Sequence, residues 1–165
     1  MNLQDLAGLQ ARAERELKQG RSWTQIFDDL WDEDLDALNL AMLLRSMGAW
    51  RTEAKLLKRS GHAFEDIIGE LRGLCATWVD VALAMIHAGL SPADMLRVVL
   101  PDVDDSEAHW NVAQVAVCLG PEDSDYEEVR QVLRYFRFDA EDVVEHVLGP
   151  EEVKQKARVR LGLVA

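Results

Sequence analysis

The stretch Trp78-Val-Asp-Val-Ala-Leu-Ala-Met-Ile-His-Ala-Gly-Leu-Ser-Pro-Ala-Asp94 decides the fold, because it predicts one helix, a tight turn and the start of a second helix. Residues 78–88 are apolar nearly all round, which is typical of a helix buried by neighbours on several sides. Gly89 then closes the helix, since glycine adopts a positive φ without steric cost. Ser91 is the expected N-cap of the next helix, with Asp94 at the capping-box position.

The same helix–glycine–turn–helix unit recurs along the chain. Residues 34–47 and 110–119 are also apolar nearly all round, and they end at Gly48 and Gly120, which we expect to adopt positive φ as Gly89 does. Weaker copies of the unit occur at three other places: Gly20, Gly61 and residues 134–143. The intervals between the turn glycines are too uneven to establish a strict repeat. The sequence therefore predicts an all-α fold, an irregular array of α-hairpins that forms either a compact helical bundle or a short α-superhelix.

The length and composition fit one folded domain. The chain has 165 residues, of which 48% are hydrophobic and 29% are charged. A chain of this size can bury roughly 70% of its unfolded surface without disulfides or metals, and this composition excludes the signature of intrinsic disorder. We therefore expect residues 1–165 to form a single all-helical domain.

The charge balance is strongly acidic. The chain carries 30 Asp and Glu residues against 18 Lys and Arg residues, which gives a formal net charge of −12. Such a charge repels nucleic-acid phosphates at long range and attracts basic surfaces. The expected partner is therefore a basic protein surface, and direct nucleic-acid binding is disfavoured.

Cysteine usage and hydropathy indicate a cytoplasmic protein. Cys75 and Cys118 form no Cys-x-x-Cys motif and lie in apolar stretches, so we expect both thiols to be reduced and buried. The first residues show helical spacing rather than the pattern of a signal peptide. The longest uncharged stretch, residues 108–121, is too short to span a bilayer. No membrane partner is expected.

The sequence contains no signature of catalysis. Phosphate-binding glycine loops and the His-Glu-x-x-His motif are absent. Two carboxylate–imidazole pairs, Asp105 with His109 and Asp142 with His146, have the i, i+4 spacing that places both side chains on one helix face. We interpret them as local hydrogen bonds near helix starts rather than as metal ligands. No catalytic residue, cofactor or metal is therefore predicted, and an enzyme is not expected.

An acidic segment around Trp31 is the first candidate binding site. Its members are Asp28, Asp29, Trp31, Asp32, Glu33, Asp34 and Asp36. An aromatic anchor inside a negative patch suits the capture of a basic partner. The ordinary alternative is that Trp31 packs inward with Trp23 and Phe27, while the carboxylates solvate a helix junction.

A basic segment follows directly. It contains Arg45, Arg51, Lys55, Lys58 and Arg59 against one acid, Glu53. Its order of helix, Gly48 and helix resembles a helix-turn-helix whose second helix enters a DNA groove, although any tight α-hairpin has this form. A further interpretation is that residues 45–59 pair with residues 28–36, within one chain or between two.

These patterns favour a non-enzymatic protein-interaction module with an acidic surface. By analogy of charge and size, it would be an inhibitor that covers the nucleic-acid-binding face of a basic partner, as phage counter-defence proteins do. One alternative is a nucleic-acid-associated regulator that uses residues 45–59. A second alternative is a structural subunit of a larger assembly, homo-oligomers included, that exposes an apolar stripe on residues 125–136.

Overall fold

The structure consists of α-helices, as the spacing of apolar residues in the sequence predicts. The computed structural model describes residues 3–35 and 37–164, which form eleven α-helices and a short 3₁₀ helix at Leu100–Asp102, with no strand. The α-helices are α1 (Leu3–Lys18), α2 (Trp23–Asp32), α3 (Ala37–Ser46), α4 (Ala49–Arg59), α5 (Phe64–Gly73), α6 (Trp78–His87), α7 (Pro92–Val99), α8 (Ser106–Leu119), α9 (Tyr126–Tyr135), α10 (Ala140–Glu145) and α11 (Glu151–Arg160). The all-α prediction is confirmed.

Helices α6 and α7 lie where the sequence places them. Thr77 caps α6, because its side chain accepts a hydrogen bond from the Asp80 amide while the Asp80 carboxylate accepts one from the Thr77 amide. Ser91 caps α7 by accepting a hydrogen bond of 3.2 Å from the Asp94 amide. The capping box predicted for Asp94 is wrong. Its carboxylate binds Arg97 instead, since a guanidinium one turn away offers a charged donor.

The two other central helices begin at different residues from those predicted. Asp34 does not start α3; it has a φ of +64° and closes α2. Helix α8 begins at Ser106 rather than at residue 110, because the Asp105 carboxylate caps it by accepting a hydrogen bond from the Glu107 amide. The error at α8 arises because an apolar pattern marks the buried part of a helix, whereas its polar cap decides where it begins.

Most helices end in the same hydrogen-bonded turn. After α6, the Gly89 amide donates to the Ile86 carbonyl and the Leu90 amide donates to the Met85 carbonyl. This is the Schellman motif, in which a residue of positive φ turns the chain out of the helix. The same two bonds close six more helices, with left-handed residues Gly20, Asp34, Gly61, Cys75, Arg137 and Gly162.

These turns are more regular than the glycines alone indicate. From Gly20 to Gly89, successive left-handed residues lie 13 or 14 positions apart. Asp34 and Cys75 supply two of them, so no glycine marks those turns in the sequence. A side chain in this conformation costs about 1 kcal/mol relative to glycine. The Schellman hydrogen bonds and the packing of the helices that follow offset this cost.

Gly120 has a different role from the one predicted. Its φ of −68° and ψ of 156° are those of extended backbone, so the expected positive φ is wrong. A side-chain carbon at this position would collide with Cγ of Pro92, with the Tyr126 hydroxyl and with the carbonyl oxygen of Ala116. Glycine is therefore needed at 120 because α7 and α9 pack closely against the end of α8.

One hydrophobic cluster runs through the described residues, from Ala13 on α1 to Leu161 after α11. The extensive helix–helix contacts join helices at most three places apart along the chain, such as α4 with α6 and α6 with α8. Neighbour-to-neighbour packing of this kind is typical of helical arrays. Within residues 3–35 and 37–164, no helix combines the length and apolarity needed to cross a membrane.

Two predictions about exposure are wrong. The apolar stripe on residues 125–136 faces the core rather than a partner, because its members Tyr126, Val129, Val132 and Leu133 are buried. Tyr135, at the end of α9, is instead 81% exposed. Cys75 is exposed and Cys118 is only partly buried. The left-handed turn carries the Cys75 side chain away from the core that its apolar neighbours enter.

Candidate interaction surfaces

Trp31 projects from the last turn of α2. Its side chain is 53% exposed, whereas Trp23 at the start of the same helix is 2% exposed. The Trp31 ring stacks on Phe27, with ring centroids 6.1 Å apart and planes inclined by 16°. The buried stripe of α2 consists of Trp23, Ile26 and Leu30. Trp31 lies beside this stripe, so the interpretation that it packs inward with Trp23 is wrong.

Arginines from the preceding elements hold two acidic residues of the segment. Arg12 on α1 donates two hydrogen bonds to the Glu33 carboxylate, each 2.7 Å long. Arg21, in the turn before α2, lies 2.6 Å from the Asp29 carboxylate. These hydrogen bonds hold the pKa of Asp29 and that of Glu33 below their ordinary values. Both groups are therefore ionised at neutral pH. Arg12 ties Glu33 directly to α1, and Arg21 ties Asp29 to α1 because it also binds Glu16.

The other acidic side chains of the segment face solvent. Asp28, Asp32 and Asp34 are exposed, and none of them forms an ion pair in the described part of the chain. Asp28 and Asp32 lie one helical turn apart, which places their Cβ atoms about 6 Å apart. We call Asp28, Trp31, Asp32 and Asp34 the Trp31 surface. The remaining predicted member, Asp36, lies outside the described residues.

Helix α4 carries a second charged surface. Its buried side consists of Ala49, Trp50, Glu53 and Ala54. Its exposed cations are Arg51, Lys55, Lys58 and Arg59, and we call them the α4 basic face. Lys58 lies 4.3 Å above the ring of Phe64. Across residues 3–35 and 37–164, no carboxylate pairs with any member of this face.

Arg45 adjoins the α4 basic face, since it lines one groove with Arg51, but it has an ion-pair partner of its own. It lies in the last turn of α3, and its Nη2 is 2.8 Å from the carboxylate of Asp80 on α6. Both residues line a groove of about 470 Å³, together with Met42, Trp50 and Cys75. The buried Nε1–H of Trp50 has no acceptor among the residues that the structure describes. The predicted basic patch therefore keeps four unpaired cations, because Asp80 neutralises its first member, Arg45.

His87 adjoins the α4 basic face, and sequence reasoning missed it. The His87 side chain is exposed, but desolvation by its neighbours lowers its pKa, and the positive charges of Lys55 and Arg51 lower it further. The imidazole is therefore mainly neutral at pH 7, where it is a polar neighbour and not an added cation. The packing of α6 on α4 brings these residues together. No local pattern in the sequence predicts this contact.

The acidic and basic segments do not pair with each other within the described chain. The ion pairs of residues 28–35 go to Arg12 and Arg21, and that of residues 45–59 goes to Asp80. Both the Trp31 surface and the α4 basic face are consequently open to solvent. Pairing of residues 28–36 with residues 45–59 within one chain is therefore not supported. Pairing between two chains stays a hypothesis.

A buried carboxylate lies behind the basic face. Glu53 is 5% exposed. Burial raises its pKa, the negative charge of Glu70 raises it further, and a hydrogen bond with Thr24 opposes the rise. No arginine or lysine pairs with Glu53 in the described structure. Ionisation of Glu53 therefore costs free energy. At neutral pH the Glu53 carboxyl group destabilises the junction of α2, α4 and α5.

The two carboxylate–imidazole pairs form neither a metal site nor the predicted local bonds. The Asp105 carboxylate caps α8 rather than binding His109. His146 Nδ1 lies 2.7 Å from the backbone carbonyl oxygen of Asp142, and its ring stacks on Trp110 with centroids 3.9 Å apart. Among the residues that the structure describes, no three potential metal ligands lie close together. The aromatic stack joins α8 to the end of α10.

Comparison with protein-family models, with curated proteins and with solved structures found no match for this chain.

Proposed function

We propose that this chain is a non-enzymatic interaction protein that captures a basic partner protein on its Trp31 surface. The observation that carries the proposal is a half-exposed Trp31 flanked by Asp28 and Asp32, two carboxylates with no ion-pair partner in the described structure. Tryptophan is enriched among residues that dominate binding energy at protein interfaces. Carboxylates around it select a cationic partner and accelerate encounter.

The surface is held ready for binding by its neighbours. Arg12 and Arg21 fix the carboxylates of Glu33 and Asp29 against α1, so the last turn of α2 is anchored from two sides. The Phe27 ring supports the indole of Trp31 from one turn earlier. A surface that is ordered before binding loses less conformational entropy when the partner arrives. This arrangement favours Trp31 as an anchor over a solvated, mobile side chain.

The partner that fits this surface has lysine or arginine side chains around an apolar contact for the indole. The net charge of −12 attracts such a partner from a distance. Nucleic-acid-binding proteins have surfaces of this kind. The proposal therefore includes an inhibitor that covers the nucleic-acid-binding face of such a protein. The cytoplasmic location expected from the sequence stays a prediction.

A fluorescence titration with a basic amphipathic helical peptide of lysine and leucine tests the proposal. The anisotropy of a dye-labelled peptide measures its affinity for wild type and for variants that lack Trp31, and we expect this affinity to fall steeply with salt. The variants Trp31→Ala and Asp28→Asn/Asp32→Asn should each weaken binding by about tenfold or more. The matched control is Asp102→Asn/Asp104→Asn, which removes two exposed carboxylates elsewhere on the chain.

The same variants serve as baits in an affinity capture. Basic proteins that are retained by wild type and by the control, and lost from both Trp31-surface variants, support the proposal. Equal binding of the peptide and of captured proteins to wild type and to the Trp31-surface variants would refute it. Equal weakening by the control would also refute it, because net charge alone would then explain the binding.

A second candidate function rests on the α4 basic face. Four exposed cations without ion-pair partners, on a helix after a tight turn, suit contacts with nucleic-acid phosphates. A gel-shift titration of a DNA duplex at low salt tests it. We expect Arg51→Glu/Lys55→Glu to abolish salt-dependent binding if this function is correct. Absence of any shift with the wild-type chain removes the candidate.

A further inference from the structure

The chain carries two unpaired surfaces of opposite charge on separate helices. The Trp31 surface on α2 exposes Asp28 and Asp32, and the α4 basic face exposes Arg51 and Lys55. Neither pair has an ion-pair partner within residues 3–35 and 37–164. A protein with net charge −12 has few places that can attract its own acidic surface, and α4 is one of them.

The spacing of the charges matches between the two helices. Asp28 and Asp32 lie one helical turn apart, and so do Arg51, Lys55 and Arg59 in succession. Each step places side chains about 6 Å apart along a helix surface. Two carboxylates of one helix can therefore face two cations of another when the helices lie side by side.

Each surface also exposes an apolar side chain beside its charges. Trp31 is 53% exposed next to Asp28 and Asp32, and Leu56 is 48% exposed next to Lys55. Contact between the indole and Leu56 would remove both from water, which is favourable in proportion to the apolar area buried. An apolar centre surrounded by charged residues is the usual anatomy of a protein interface.

We propose that a second copy of this chain docks its α4 basic face on the Trp31 surface. The proposal rests on the proposed function, because it requires the Trp31 surface to bind a basic partner, and it names that partner. The contact joins different surfaces of the two copies, so each bound pair keeps one acidic and one basic surface free. Heterologous contacts of this kind build rings or open chains.

Charge-reversed variants test the contact by sedimentation velocity and light scattering at high protein concentration. An ionic strength of about 0.15 M suits the test, because it screens charges more than ~8 Å apart and spares contacting pairs. Wild type should self-associate. Asp28→Lys/Asp32→Lys has two positive surfaces and Arg51→Glu/Lys55→Glu has two negative ones, so each variant alone should associate at least about tenfold more weakly. An equimolar mixture of the two should recover association.

The matched control is Asp102→Lys/Asp104→Lys, which changes net charge as much as the α2 variant does and leaves both surfaces intact. It should associate at least as well as wild type. Circular dichroism and thermal melting establish that all variants keep the native fold. Wild type that stays monomeric at millimolar concentration overturns the proposal, as does a mixture that fails to associate.

The outcomes separate this inference from the proposed function. Self-association lost in the Asp28→Lys/Asp32→Lys variant but unchanged in Arg51→Glu/Lys55→Glu overturns the assignment of α4 and keeps the Trp31 surface as a binding site. A wild-type chain that stays monomeric but binds the lysine–leucine peptide likewise overturns the assignment of α4 and keeps the Trp31 surface as a binding site. Monomeric wild type that binds a DNA duplex through Arg51 and Lys55 instead assigns α4 to nucleic acid and overturns the contact between copies.

Discussion

Thr24 on α2 donates a hydrogen bond of 2.7 Å from its hydroxyl to the carboxylate of Glu70 on α5. Glu53 on α4 is buried close enough for the negative charge of Glu70 to raise its pKa. Three helices therefore meet around two carboxylates and one hydroxyl. A buried carboxylate without a cation is destabilising when it is ionised.

Glu53→Gln should stabilise the protein at neutral pH by about 1 kcal/mol. Burial, and then Glu70, raise the pKa of Glu53 in the folded state above its ordinary value of 4.5. The folded state therefore binds this proton more tightly, so the contribution of Glu53 to stability falls as pH rises from 4.5 through the raised pKa. Urea unfolding at several pH values should show a gain from Glu53→Gln that is largest at pH 7 and disappears below pH 4.5. The control Glu14→Gln, at an exposed site on α1, should give no such trend.

Trp23→Ala and Trp31→Ala should differ strongly in their effect on stability. Trp23 is buried in the core, so its truncation should cost about 3 to 5 kcal/mol. Trp31 is half exposed, so its truncation should cost under about 1 kcal/mol. Equilibrium unfolding in urea, followed by circular dichroism, measures both values. A loss at Trp31 as large as that at Trp23 would contradict the exposed position and remove the basis for treating Trp31 as a surface anchor.

Gly120→Ala should destabilise the protein by about 1 to 3 kcal/mol, because the added methyl group collides with Pro92 and Tyr126. Gly69→Ala is the matched control. Gly69 lies inside α5 with open space around its Cα, so alanine there should stabilise the helix by about 0.5 to 1 kcal/mol. Thermal unfolding of both variants gives the comparison. A Gly120→Ala variant as stable as wild type would contradict the close packing of α7 and α9 around residue 120.

Cys75 should react with a thiol reagent much faster than Cys118. Cys75 is exposed in its turn, whereas burial raises the pKa of the partly buried Cys118 thiol and so lowers its thiolate fraction. Labelling followed by peptide mass spectrometry measures each rate. Equal labelling rates at the two cysteines would contradict the exposed turn.

Cys75→Gly should stabilise the protein by about 1 kcal/mol, because the φ of +65° at this position suits glycine.

The candidate surfaces were only partly predictable from sequence. The five basic residues of 45–59 are exposed, as their pattern indicates, and so are the described acidic residues of 28–36 except Asp29, which is half-buried. The sequence did not reveal that Arg45 is bound by Asp80, that Glu33 and Asp29 are bound by Arg12 and Arg21, or that His87 adjoins Lys55. Each of these contacts joins different helices, and their partners depend on how the helices pack. Local spacing carries no information about such pairs.

The sequence by itself determined that this protein is all helical, where α6 lies, and that Gly89 ends that helix, because period, glycine and N-cap chemistry act within a few residues of one another. Tertiary structure alone decided that Asp34 and Cys75 turn the chain without glycine, since packing of the flanking helices compensates their strained backbone. It also decided that Gly120 is needed for close approach of α7 and α9. Finally, it decided that Trp31 faces solvent while Trp23 faces the core, because the buried face of α2 is set by the position of its neighbours and not by the identity of the side chain.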